Sequence, residues 1–249
     1  MAKLKCAWFD FACCEGCQVE LTNFGEPFLN LLEYIEPVEF REVMTEKTDQ
    51  RIDIAFIEGS FTRESDRKRL ELIRERADVV IAYGACAVTA GINALKNHQT
   101  DYKQYVYGKD KDMPHLDSQL AKPISAAIKV DYEIPGCPID RDEFVRIVSQ
   151  VIHGSKPVLP KYPVCVECKL RETVCRYDEG DYCLGVVAKA GCGAPCPAMG
   201  IPCEACRGFC DEPNQESLIQ LLKEKGPYGD KWAEEKSRMF TANLRKDSK

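Results

Sequence analysis

Cysteine is the residue that carries chemistry in this chain, and its fifteen copies are unevenly spaced. Six lie within residues 1–155, and nine crowd between residues 165 and 210. The first group opens with "CCEGC", holding Cys13, Cys14 and Cys17, and continues far downstream with Cys86 in "YGAC" and Cys137 in "IPGC". Thiolates are soft ligands that select zinc or iron–sulfur centres. A single C-x2-C pair also fits a thioredoxin-like redox couple, and Cys86 alone fits a small buried hydrophobe. Disulfide stapling fits poorly. The start "MAKLKCAWFDFACC" has neither the apolar run of a secretory leader nor a twin arginine, so a cytoplasmic chain with reduced thiols is expected.

Four stretches must position the first group. "LKCAWFDF", "DIAFIEG", "VVIAYGAC" and "IKVDYEIPGC" are short, β-branched or aromatic, and most end at or near a glycine, which predicts buried parallel strands. Between them "TRESDRKRLELIRERA" places Leu70, Ile73 and Ala77 at helical spacing, with Thr62 or Ser65 as candidate caps. "DRDEFVRIVSQVIHG" has acidic residues in its first turn, Phe144, Ile147, Val148 and Val151 on one face, and Gly154 at the C-terminal end. This alternation implies an α/β fold with a doubly wound parallel sheet. Ligands of such sheets sit at the C-terminal edge, where Cys14, Cys17, Cys86 and Cys137 are expected to converge. Four thiolates on one edge form the ligand set of a 4Fe-4S cluster. Gly16, Gly84 and Gly136 beside them suit sharp turns, and Pro138 fixes the chain after Cys137. The repeated cysteine at strand ends is what favours a cluster over a zinc clasp or a redox pair.

The composition then shifts. Residues 1–155 form the expected first domain, residues 156–213 a small, irregular Cys-rich domain, and residues 214–249 a helical tail. The linker reads as "HGSKPVLPKYPV". From 163 to 213 hardly any periodic apolar pattern is visible, so a metal centre is expected to organise the segment. It carries Cys165, Cys168, Cys175 and Cys183, then Cys192, Cys196, Cys203, Cys206 and Cys210. Two more iron–sulfur clusters fit, and so do two four-cysteine zinc sites, although zinc would leave the strand-edge set unexplained. In the tail "ESLIQLLKEK" and "DKWAEEKSRMF" read as amphipathic helices that either cover a core or dock on a partner. With 34 basic against 40 acidic residues and a net charge of -6, nucleic acid and anionic membranes are poor partners. No run approaches the length of a membrane-spanning helix, so other proteins are the expected partners.

Seven motifs in order, "CEGCQVEL", "IAFIEGS", "YGACAVTAG", "YEIPGCP", "YPVCVECKLRE", "CLGVVAKAGC" and "IPCEACRG", make the chain resemble the small subunit of nickel–iron hydrogenases. The resemblance is strongest to the cytosolic, NAD(P)-linked bidirectional or sulfhydrogenase branch, and it spans residues 5–210. It implies a flavodoxin-like first domain whose proximal 4Fe-4S cluster, on Cys14, Cys17, Cys86 and Cys137, faces the nickel–iron centre of a separate large subunit. It implies a distal cluster on Cys165, Cys168, Cys175 and Cys183, with Cys165 where periplasmic relatives carry histidine. Cys192, Cys203 and Cys206 match the medial set, with Cys196 as the expected fourth ligand of a 4Fe-4S cluster and Cys210 as its competitor. Cys6 and Cys13 are then left over, Cys13 with the option of tuning the cluster through its S–H.

The implied function is electron relay through three iron–sulfur clusters, between the large subunit and a flavin/iron–sulfur diaphorase that exchanges electrons with NAD(P). The nickel-binding motifs of a large subunit, Arg-x-Cys-Gly-x-Cys and Asp-Pro-Cys-x-x-Cys, do not occur, so no catalytic residue is expected here. Glu15 and Glu20 read as proton carriers or, more simply, as solvated or interface carboxylates. Two alternatives stand beside this one. A complex I-like iron–sulfur subunit would need only the strand-edge cluster, and a zinc-stabilised interaction scaffold would need only the downstream cysteines.

Overall fold

A computed structural model describes residues 3–99, 101–108, 113 and 116–244; residues 245–249 of the tail lie outside these. The chain divides into two compact units, Met1–Pro157 and Val158–Lys249, and each is described by itself.

The first unit holds strands β1 (Leu4–Asp10), β2 (Ile35–Phe40), β3 (Ile52–Glu58), β4 (Phe61–Arg63), β5 (Ala77–Tyr83), β6 (Ser118–Lys122) and β7 (Tyr132–Ile134). Its helices are α1 (Gly16–Thr22), α2 (Glu26–Leu31), α3 (Arg67–Arg76), α4 (Gly84–Thr89), α5 (Tyr102–Tyr107) and α6 (Arg141–Ile152). Five strands form one sheet in the order β2-β1-β3-β5-β7, parallel at every pairing, which is the flavodoxin-like doubly wound topology. β4 and β6 form a separate antiparallel pair.

Strand alternation explains why both faces are covered. Ala7 and Phe9 of β1, Ala55 and Ile57 of β3, and Val80 and Ala82 of β5 share one apolar cluster with Leu70 and Ile73 of α3. The residues between them face the other way. There the Trp8 indole stacks between Phe40 and Phe56, both with ring centroids 4.7 Å away, and Phe144 of α6 packs on Phe56 at 5.5 Å. Asp140 caps α6 by accepting from the Glu143 amide at 2.8 Å; Phe144, Ile147 and Val148 are buried, while Val151 is only half-buried.

Two local expectations are corrected. Neither Thr62 nor Ser65 caps α3, which begins at Arg67 without a side-chain cap. Burial of Phe61 draws Thr62 into β4, and Ser65 falls inside a 3-10 turn, Glu64–Asp66. The segment from 163 to 213 also takes part in an apolar core. Val164, Leu184, Val187, Ala188, Ala194 and Ala205 cluster with residues of the tail: Leu218 and Leu222 of α9 (Gln215–Lys225) and Ala233 of α10 (Asp230–Lys236). Two further helices among the described residues of this unit, α7 (Cys165–Leu170) and α8 (Pro195–Ala198), are short. Among the described residues no helix is long and apolar enough to cross a membrane.

Candidate metal centres

In the first unit the C-terminal edge of the sheet gathers the cysteines. Cys14 and Cys17 flank the turn from β1 into α1, where Glu15 adopts the left-handed conformation (φ 61°). The turn is held from below. Ala12 accepts hydrogen bonds from the Ser60 amide at 3.0 Å and the Asn93 side chain at 2.8 Å, and the Glu58 carboxylate accepts from the Cys17 and Gln18 amides, both at 3.2 Å. Cys86 lies in the first turn of α4 after β5, and Cys137 lies in the tight turn after β7, joined to Pro138 by a cis peptide bond. The Ala85 amide donates to the Gly136 carbonyl at 2.6 Å, tying these two turns together. A Cβ on Gly84 would stand 2.6 Å from Cys17 Sγ, so the turn after β5 touches the turn after β1.

The electrostatics express the same convergence. Burial pushes the Cys86 thiol up to about 12, helped by the neighbouring Cys137 and Cys14. Cys137 is raised by burial and then by Cys14 and Glu58, and Cys17 by burial, Glu58 and also Cys137. A cation at this edge would oppose these shifts by favouring the thiolate form. Cys14 and Cys137 are exposed while Cys17 is buried, so the set opens to one side. Cys6 is fully buried. Cys13 is pushed up to about 12 by burial and Glu58, and its S–H donates to the Phe11 carbonyl at 3.5 Å, so its proton is held by backbone.

In the second unit α7 carries Cys165 and Cys168 one turn apart, Cys175 precedes a 3-10 turn (Arg176–Glu179), and Cys183 is buried. The Cys165 thiol is pushed up to about 11 by burial and then by Cys183, Cys168 and Cys175, so these four are neighbours. Cys183 Sγ accepts from the amides of Gly185 and Cys203, each at 3.4 Å. Cys203 is raised by burial, with Cys183, Cys206 and Cys192 around it, and Cys196 is among the charges that raise Cys192. Arg207, buried next to Cys206, opposes the rise of Cys192. Cys210 differs: burial raises it, and the charges around it are Asp211 and Lys189, with no cysteine among them.

Among the described residues no three His, Cys, Asp or Glu side chains close to the spacing of a single-ion site. A cluster binds each thiolate to a different iron and spreads them wider than one ion does. The donor set is thiolate throughout, its amides point at sulfur, and glycines leave room beside it, all of which fit an iron–sulfur centre.

The carboxylates singled out by sequence resolve differently. Glu20 pairs with Arg141, and Glu15 pairs with Arg41 at 3.2 Å. Glu58, 2% exposed, is the one that shapes the site. Its signal in the sequence was an acid ending an otherwise apolar strand, "DIAFIEG". Glu58→Ala strands two buried N–H groups, so it should cost about 2 kcal/mol of stability. Denaturant unfolding of the purified protein should show that loss together with lower iron retention, and unchanged values for both would rule out a clamp.

A family model described as "NADH ubiquinone oxidoreductase, 20 Kd subunit" matches residues 14–151. Sulfhydrogenase 2 subunit delta of Pyrococcus furiosus is 33% identical over 222 residues, 89% of this chain and 93% of that one. NAD-reducing hydrogenase HoxS subunit delta of Cupriavidus necator is 28% identical over 174 residues, 64% of this chain and 83% of that one. A crystal structure of NAD+-reducing [NiFe]-hydrogenase in the H2-reduced state contains a chain that is 25% identical with a TM-score of 0.56, matching 64% of this chain and 96% of that one. A family match confined to the first unit and a sulfhydrogenase match along most of the chain have a common reading: the chain belongs to the hydrogenase small-subunit family.

Proposed function

We propose that this chain is the electron-transfer subunit of a nickel–iron hydrogenase and binds three 4Fe-4S clusters. Cys14, Cys17, Cys86 and Cys137 hold the proximal one, Cys192, Cys196, Cys203 and Cys206 the medial one, and Cys165, Cys168, Cys175 and Cys183 the distal one. The observation that carries the reading is the convergence of four cysteines from three distant turns on one sheet edge. When bound, the clusters carry single electrons between the partner's hydrogen-activating centre and an acceptor.

What the chain itself does is hold and tune. Glu58 and the tied turns at Ala85 and Gly136 fix the ligand geometry, and the amides on Cys183 stabilise its charged form. The exposed Cys14 and Cys137 give the edge its open side, which suits docking of a large subunit that contains the nickel–iron centre. A flavin/iron–sulfur diaphorase that exchanges electrons with NAD(P) is the proposed partner at the other end. None of the fifteen cysteines is joined in a disulfide, which suits both metal ligation and assembly in the cytoplasm.

The nearly full-length match to a sulfhydrogenase subunit supports the three-cluster reading over a complex I-like subunit with the strand-edge cluster alone. Anaerobically purified protein should be brown, with a broad visible shoulder, signals that appear on reduction, and about twelve iron and twelve sulfide per chain. Nickel should appear only with a copurifying large subunit. A colourless chain with stoichiometric zinc would overturn the proposal.

A further inference from the structure

The tail's second helix brings a cation to the middle of the second unit. Glu204 directly follows Cys203, whose amide donates to Cys183 Sγ at 3.4 Å, while the Leu184 amide donates to the Cys203 carbonyl at 2.8 Å. The carboxylate therefore stands where the two ligand sets meet. One of its oxygens accepts from the Tyr182 hydroxyl and pairs with Lys236 Nζ at 2.7 Å; the other is buried with no hydrogen-bond partner among the described residues. Lys236, the last residue of α10, has a side chain only 16% exposed, and its ammonium also lies 4.6 Å from the centroid of the Tyr182 ring.

The placement of Lys236 is built. Trp232, one turn earlier on α10, meets the Tyr182 ring at 5.0 Å and the Tyr228 ring at 5.1 Å, both edge-on. A Cβ on Gly226 would meet the Leu222 carbonyl oxygen and stand 2.7 Å from the Trp232 ring, so the turn between α9 and α10 packs closely on that indole. Core cover alone would need neither the lysine nor the half-satisfied carboxylate. A carboxylate beside the ligands makes adding an electron harder, and a nearby ammonium offsets it, more strongly where water is excluded.

We propose that Lys236 is a positioning and charge-compensating residue: it neutralises Glu204 at the Cys183–Cys203 junction and thereby raises the reduction potential of a cluster held there. This rests on the iron–sulfur reading given under Proposed function. The tail then belongs to the redox machinery of the chain as well as to its core.

The test is redox titration of the assembled, iron-loaded complex, followed by paramagnetic resonance. In Lys236→Met a second-unit cluster should titrate at a more negative potential. Its reduced-to-oxidised ratio at fixed potential should fall on the order of tenfold, equivalent to about 59 mV for one electron. The strand-edge cluster should stay where it was. Lys236→Arg should keep the original potential, and the double variant Lys236→Met with Glu204→Gln should return towards it. If Lys236→Met sheds iron, the double variant decides: recovery of iron supports charge compensation, and continued loss overturns it. Full iron with unmoved potentials in Lys236→Met also overturns it and leaves the tail as cover. A wild-type chain without iron would instead sink the function proposed above, so the two failures are separable.

Discussion

Cys168→Ala is expected to stop hydrogen-driven reduction of a soluble acceptor while sparing hydrogen–deuterium exchange at the partner's centre. Cys168 sits on α7 a turn after Cys165, half-buried, and its thiol is raised by burial and then by Cys183, Cys175 and Cys192. Other second-unit thiols thus lie around it, and its loss would remove a quarter of the proposed distal ligand set. Changing a residue that merely supports a metal ligand costs roughly 10–100-fold in affinity or activity. Loss of the ligand itself should exceed that in acceptor-linked turnover. The strand-edge set lies in the first unit, which has its own apolar cluster, so exchange chemistry that needs only the docked edge should survive. Cys14→Ala is the counterpart: it strikes the exposed edge and should depress both activities and the recovery of the large subunit. Assaying acceptor reduction and isotope exchange side by side separates the cases, and full acceptor turnover in Cys168→Ala would show the relay order to be wrong.

The difference between what could be read from the sequence and what could not is physical. The meeting of Cys86 and Cys137 at one edge was legible because each closely follows a glycine at the end of an apolar run, and a parallel sheet brings such ends together whatever their separation in the chain. β2 was not legible, since Glu36, Pro37 and Glu39 interrupt its pattern; proline is tolerated there because the strand lies at the edge of the sheet. The core of the second unit was hidden for a different reason. Val164, Leu184 and the Val186–Val187 pair are scattered between cysteines and turns, and they share a cluster with Leu218, Leu222 and Ala233 from the tail. Spacing left Cys196 and Cys210 as rivals, and neither has a periodic element to place it. Cys196 lies in α8 and acts electrostatically on Cys192, whereas the charges acting on Cys210 are Asp211 and Lys189. The acid that holds the "CEGC" turn, Glu58, was visible as a motif residue, but the hydrogen bonds that give it a role cross 41 residues of chain.

Gly84→Ala should strike the strand-edge site directly. Gly84 has φ +82°, a conformation that a side chain adopts at a cost of roughly 1–2 kcal/mol. The added Cβ would also lie 2.6 Å from Cys17 Sγ, closer than such atoms approach, and Cys17 has little room to yield because Glu58 holds its amide and the side chain is buried. The turn cannot retreat freely either, since the next amide, that of Ala85, is tied to the Gly136 carbonyl. Strain is therefore transmitted to Cys17, Cys86 and Cys137 together, and the strand-edge cluster should fail to assemble, removing about a third of the iron of a three-cluster chain. Gly154→Ala separates backbone strain from this collision. Its φ is +70° but nothing lies within 4 Å of the added carbon, so it should cost about 1 kcal/mol and keep all its iron. Iron content and thermal unfolding of the two variants give the comparison directly. Equal iron in both would mean that Cys17 is free to move and that the turn at Gly84 does not set the site.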